Sequence, residues 1–142
     1  MGQTLNSDDK EALAIMHKEA TDAYIQYGHL VKAQSSLDEA KNYFQQAGSL
    51  ASMSHELELA KSKILSGKGF YRQSVDLSDH QLKLLETKLI SAAGELRQQY
   101  QNQYGSFLIE KSNALRKMGD FLTSDSAFIA SERWMDQNLS KG

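Results

Sequence analysis

The sequence has 142 residues, 40% hydrophobic and 24% charged, with a formal net charge of −2 at pH 7. A chain of this size and mixture is expected to fold as one domain, 1–142, with flexible ends at 1–6 and 137–142. Interspersed charges, with Arg116-Lys117 as the one dense basic group, leave no electrostatic footprint for nucleic acid, and the absence of cysteine excludes disulfides, thiolate nucleophiles and Cys-containing zinc sites.

A cysteine-free chain fits a reducing compartment, so a cytoplasmic location is expected. No apolar run approaches the roughly 20 residues that span a bilayer, so no membrane partner is expected. The start lacks a basic region followed by an apolar stretch, and Asn6 stands where a myristoylation motif after Gly2 wants Ser or Thr. Proline is absent. Helix interiors exclude proline and the turns of β-rich chains use it, so its absence beside abundant Ala, Leu, Gln, Glu and Lys predicts an all-α chain.

The first helix is predicted to start at Asn6 or Ser7, which can cap free N–H groups, with Asp8 and Asp9 at the positive end of its dipole. Ala12, Ile15, Met16, Ala20, Ala23, Tyr24, Tyr27 and Val31 recur at spacings of three and four, which predicts one apolar stripe continuing to about Ala33. Ser36-Leu37-Asp38-Glu39 reads as a capping box that opens a second helix carrying Leu37, Ala40, Phe44 and Ala47 toward a turn near Gly48-Ser49. A third helix, about 53–66, ends at Gly67-Lys68-Gly69, the strongest stop signal in the chain.

From Phe70 the helical pattern is sustained through Tyr100, with a restart suggested by the capping box Ser78-Asp79-His80-Gln81. One long helix over about 78–104 is therefore expected, with its end placed at Tyr104-Gly105 in preference to Gly94. A further helix covers about 106–118, Gly119-Asp120 turns the chain, and a last helix carries Phe121, Phe128, Ile129 and Trp134 toward a polar tail.

From Thr21, the residues Tyr24, Tyr27, Gly28, Val31, Ser35, Leu37, Ala40, Phe44 and Ala47 follow the alternation of large and small side chains found in a tetratricopeptide repeat, and this window resembles that family. Windows from His55 and from Gly105 repeat the pattern in part, with the turns Gly69-Phe70-Tyr71 and Met118-Gly119-Asp120-Phe121. The resemblance implies stacked antiparallel helical hairpins in which Gly28 and Ala40 lie where two helices cross. An elongated bundle of three or four helices is the alternative architecture.

The resemblance also implies a groove lined by the second, fifth, ninth and twelfth residues of each window. Its apolar floor would be Ile25, Leu59 and Ile109, and His29, Lys32, Lys63, Asn113 and Arg116 would meet a partner's carbonyls or carboxylates. The remaining groove positions are Asp22, Glu56, Ser66 and Ser106. Repeats that clamp a C-terminal carboxylate place Lys and Asn at the fifth and ninth positions. Of these only Asn113 is present here, so that subtype is not expected. The competing interpretation is that Ile25, Leu59 and Ile109 are ordinary core.

His17, His29, His55 and His80 are scattered without metal-ligand spacing, and Asp8-Asp9 and Glu56/Glu58 are explained by a helix dipole and an exposed face. No phosphate loop, nucleophile elbow or dinucleotide fingerprint occurs, so neither catalysis, a metal nor a cofactor is expected. The sequence thus predicts a non-catalytic adaptor, regulator or dedicated chaperone that holds a protein or peptide partner. The alternative is a structural subunit that self-associates or joins a complex through Leu82, Leu85, Leu89, Ala92 and Leu96 of the long helix.

Overall fold

A computed structural model describes residues 5–139, and among them the chain forms six helices and no strand. They are α1 (Ser7–Gln26), α2 (Leu30–Ala47), α3 (Leu50–Gly67), α4 (Tyr71–Ser91), α5 (Gly94–Lys117) and α6 (Phe121–Leu139). The chain is all-α and built of packed helical hairpins, as the sequence predicts. Contacts divide it into two compact units, Met1–Lys68 and Gly69–Gly142. Residues 1–4 and 140–142, within the ends expected to be flexible, and the side chains of Phe121 and Trp134 lie outside the described residues. Asn6 and Gln137, also in those expected ends, are a helix cap and part of α6.

In the first unit α1 and α2 form a tight hairpin, and α3 packs on α2 and the flank of α1. Asn6 starts α1, its side-chain oxygen accepting from the Asp9 N–H at 2.8 Å. The helix stops at Gln26, not near Ala33. Gly28 takes φ 77°, which a residue with a Cβ adopts only under strain, and the N–H groups of Gly28 and His29 close onto the carbonyls of Ile25 and Tyr24. Gly28 is therefore a turn residue and not a helix-crossing residue, and α2 begins before the expected capping box at Ser36, which lies inside the helix. Gly48 ends α2 by the same pair of bonds, to Gln45 and Phe44.

The core of this unit is Ala14, Ala33, Leu37, Ala40, Phe44, Leu57, Ala60 and Ile64. Four alanines among the eight let the helix backbones approach closely, while Leu37, Phe44, Leu57 and Ile64 fill the space between. Each large side chain contributes about 1.5–3 kcal/mol. The expected α1 stripe is only partly inward: α1 buries Ala14 and Thr21, whose hydroxyl donates to the His17 carbonyl at 2.8 Å, and Met16 is 62% exposed. His17 stacks on Tyr43 with ring centroids 5.6 Å apart, and Lys41 of α2 pairs with Glu58 of α3 at 3.6 Å.

In the second unit α4 packs along α5, and α6 packs on α5. The expected long helix is two helices. Ala92 and Ala93 are extended, Gly94 takes φ 63°, and α5 runs back antiparallel to α4. The Arg97 guanidinium secures this break by donating to the carbonyls of Leu89 and Ala92 at 2.8 and 3.2 Å, groups that the end of α4 would otherwise leave unmet. Gly105 lies within α5, and Ser78 and Gln81 are buried inside α4, not at a restart, with His80 exposed.

Leu82, Leu85 and Leu89, expected to join another chain, are buried, as are Tyr104, Phe107 and Leu108 of the α5 they face, whereas Leu96 stays exposed. Tyr104 donates to a Glu86 carboxylate oxygen at 2.9 Å, and Lys111 pairs with Asp79, so polar bonds tie the same two helices. The α5–α6 turn closes at Gly119 onto Arg116 and at Asp120 onto Leu115, and the Asp120 carboxylate caps the Thr123 N–H at 3.2 Å.

Candidate functional site

One feature shaped to hold a ligand is an apolar cleft of about 410 Å³ between α5 and α6. Ile109, Ser112, Asn113 and Arg116 face it from α5, and Ser124, Asp125, Phe128 and Ile129 from α6. The spacing explains the wall: residues 109, 112, 113 and 116 are three and four apart, so successive turns present one face. The same holds for 124, 125, 128 and 129.

At the cleft floor the helices come close because both positions carry serine. The buried Ser124 hydroxyl donates to the Ser112 carbonyl at 3.0 Å. Larger residues above it leave apolar surface uncovered, with Ile109 56%, Phe128 42% and Ile129 49% exposed. Arg116 and Asp125 bridge the two walls at 3.0 Å, and both are more than half exposed, so this pair orients the rim more than it stabilises the fold. Asn113 adds an exposed amide, and Glu132 and Asp136 continue the α6 side with acidic groups.

Ile109, Asn113 and Arg116, the expected groove residues of the third window, are thus brought together in one cleft. Their first-window counterparts are not. Because α1 ends at Gln26, Ile25 sits in its last turn and packs against the first unit's core, His29 caps α2, and Lys32 lies on the first turn of α2. His29 meets the Tyr24 ring edge-on and Lys32 lies over the same ring at 5.9 Å, so both serve the turn. On α3, Leu59 is half-buried and Lys63 exposed.

Phe128, Ile129, Ser124 and Asp125 were not among the expected site residues. Their signal was an adjacent aromatic and branched pair beyond a serine, and it became a site only because α6 folds back on α5.

Chemically the cleft offers apolar contact, one amide and a paired charge. Among the described residues no three His, Asp or Glu side chains gather as a metal site requires. The buried phenol of Tyr104 is pushed well above its ordinary range, first by burial and then by the Glu86 carboxylate it donates to. Among the described residues no helix is long and apolar enough to cross a membrane. Comparison with known protein families, characterised proteins and solved structures finds no match.

Proposed function

We propose that this chain is a non-catalytic adaptor or dedicated chaperone that holds an amphipathic helical segment of a protein partner in the α5–α6 cleft. The observation that carries the reading is the convergence of exposed Ile109, Phe128 and Ile129 above a floor where two serines meet. A cleft of about 410 Å³ accepts apolar anchors spaced one helical turn apart, the mode by which amphipathic helices dock in grooves. Asn113 and Arg116 meet the partner's polar edge, with Arg116 exchanging Asp125 for a carboxylate of the partner. A cysteine-free chain suits a cytoplasmic setting for this role.

The test is capture of partners by the intact protein beside the double variant Ile109→Ser, Phe128→Ser, with helicity matched by circular dichroism. Both side chains are substantially exposed, so the variant keeps its fold. A partner held by the wild type and lost by the variant supports the cleft; equal capture refutes it.

A further inference from the structure

Helix α1 presents apolar residues on both of its sides. Ala14 and Thr21 are buried and Tyr24 and Ile25 pack on the core, whereas Ala12, Ile15, Met16 and Ala23, with Tyr27 at its C-cap, face solvent. Met16 is 62% and Tyr27 73% exposed. Positions 12, 16, 23 and 27 fall on one side of a helix, with Ile15 beside them, so the stripe runs about 22 Å. Ala12 and Ala23 leave room for a second backbone to come close, and Ile15, Met16 and Tyr27 supply the apolar contact.

The exposed charges of α1 near this stripe are acidic. Asp8 and Asp9 lie at its N-terminal end and Glu19 among Ile15, Met16 and Ala23, all exposed, and no ion pair among the described residues engages them. The lysines of α1 do not offset them. Lys10 lies toward the buried side, and Lys18, also off the stripe, is bound through its ammonium to both Asp22 carboxylate oxygens at 2.9 and 2.7 Å.

We infer that the exposed face of α1 docks a basic amphipathic helix from a partner protein, at a surface separate from the α5–α6 cleft. The apolar stripe supplies contact area and the carboxylates choose the partner, because like charges across an interface are costly and opposite ones steer encounter. A second copy of this chain fits poorly, since it would bring an acidic rim against an acidic rim. An anionic lipid surface is repelled for the same reason.

The probe is a helical peptide of about 18 residues with leucines on one face and lysines beside them, compared with a twin carrying glutamates for lysines. Both are titrated into the full chain at low and high salt. The lysine peptide binds at least about tenfold tighter than its twin and weakens as salt rises. The variant Ile15→Ser, Met16→Ser loses about tenfold or more of that affinity, and Asp9→Asn with Glu19→Lys abolishes the preference between the twins, each at wild-type helicity. Ile109→Ser, Phe128→Ser leaves binding unchanged, which separates this surface from the cleft.

Four results overturn the inference. They are equal binding of the two peptides, no binding of either, loss of binding in the cleft variant instead of the α1 variant, and an alternative occupant of the face. That occupant would show as a concentration-dependent mass, or as adsorption to anionic vesicles, abolished by Met16→Ser.

Discussion

The hydroxyl of Ser124 on α6 donates to the backbone carbonyl of Ser112 on α5 at 3.0 Å, and both residues are buried. The bond joins α6 to α5, and both serines line the cleft. Its length and the small size of both side chains decide how closely the two walls stand.

Substitution at that point separates stability from partner binding. Ser124→Ala removes a single neutral hydrogen bond and lowers unfolding stability by about 1 kcal/mol while leaving the cleft open. Ser124→Leu overfills the floor, costs about 1–3 kcal/mol and abolishes partner capture. Denaturant unfolding and capture measured on both variants check the distinction. A Leu variant that captures normally contradicts the cleft assignment.

Ile25 and Ile109 were expected to play the same part, and the structure gives them different ones. Ile25 packs on the first unit's core, so Ile25→Ser is destabilising by roughly 1–3 kcal/mol in thermal or denaturant unfolding. Ile109, 56% exposed, changes to Ser within about 0.5 kcal/mol of wild type. Similar losses at both positions would show that Ile109 is core.

Two glycines respond in opposite directions to alanine. Gly105 is helical and a Cβ added there meets nothing within 4 Å, so Gly105→Ala raises stability by about 0.5–1 kcal/mol. Gly28 holds φ 77°, and Gly28→Ala lowers stability by about 1–2 kcal/mol although its surroundings are equally open. The pair tests backbone conformation free of packing, by unfolding midpoints at constant m-value.

Tyr104 makes the fold sensitive to alkali. Its phenol is raised above the ordinary 10.0 in the folded chain, so its contribution is fully present below pH 10. Above that, the unfolded chain releases a proton that the native state retains, and stability falls by about 1.4 kcal/mol per pH unit until the folded phenol itself ionises. Tyr104→Phe loses about 1 kcal/mol at neutral pH, with the Glu86 bond, and shows a shallower decline above pH 10. Unfolding followed from pH 8 upward checks this, and identical slopes for the two proteins contradict it.

Helix class and several stops were legible because proline is absent and glycine marks the turns at Gly48, Gly67-Lys68-Gly69 and Gly119. The first turn was masked. Tyr24, Tyr27 and Val31 keep helical spacing straight through Gly28, so periodicity alone carries the helix onward. The break at Ala92-Ala93 was hidden more deeply, since alanine is the strongest helix former and the Arg97 cap that secures the break is a tertiary interaction. On α1 the expected stripe is split, with Tyr24 packed on the core and Ile15 and Met16 exposed, because full burial there uses Ala14 and Thr21, whose small size matters only in tertiary packing. Of the expected site residues, the third-window set shares a cleft because α5 is continuous from 94 through 117, whereas the first-window set straddles a turn.

The glycine-closed connections also shape how the chain reaches its fold. Only a few residues separate one helix from the next, so the hairpin contacts within each unit close short loops and the entropic cost of closure is small. Such low contact order belongs to chains that fold in microseconds to milliseconds. On the ribosome, the first three helices can bury Leu37, Phe44, Leu57 and Ile64 while the second unit is still being synthesised, which limits the time that sticky surface stays open to other chains.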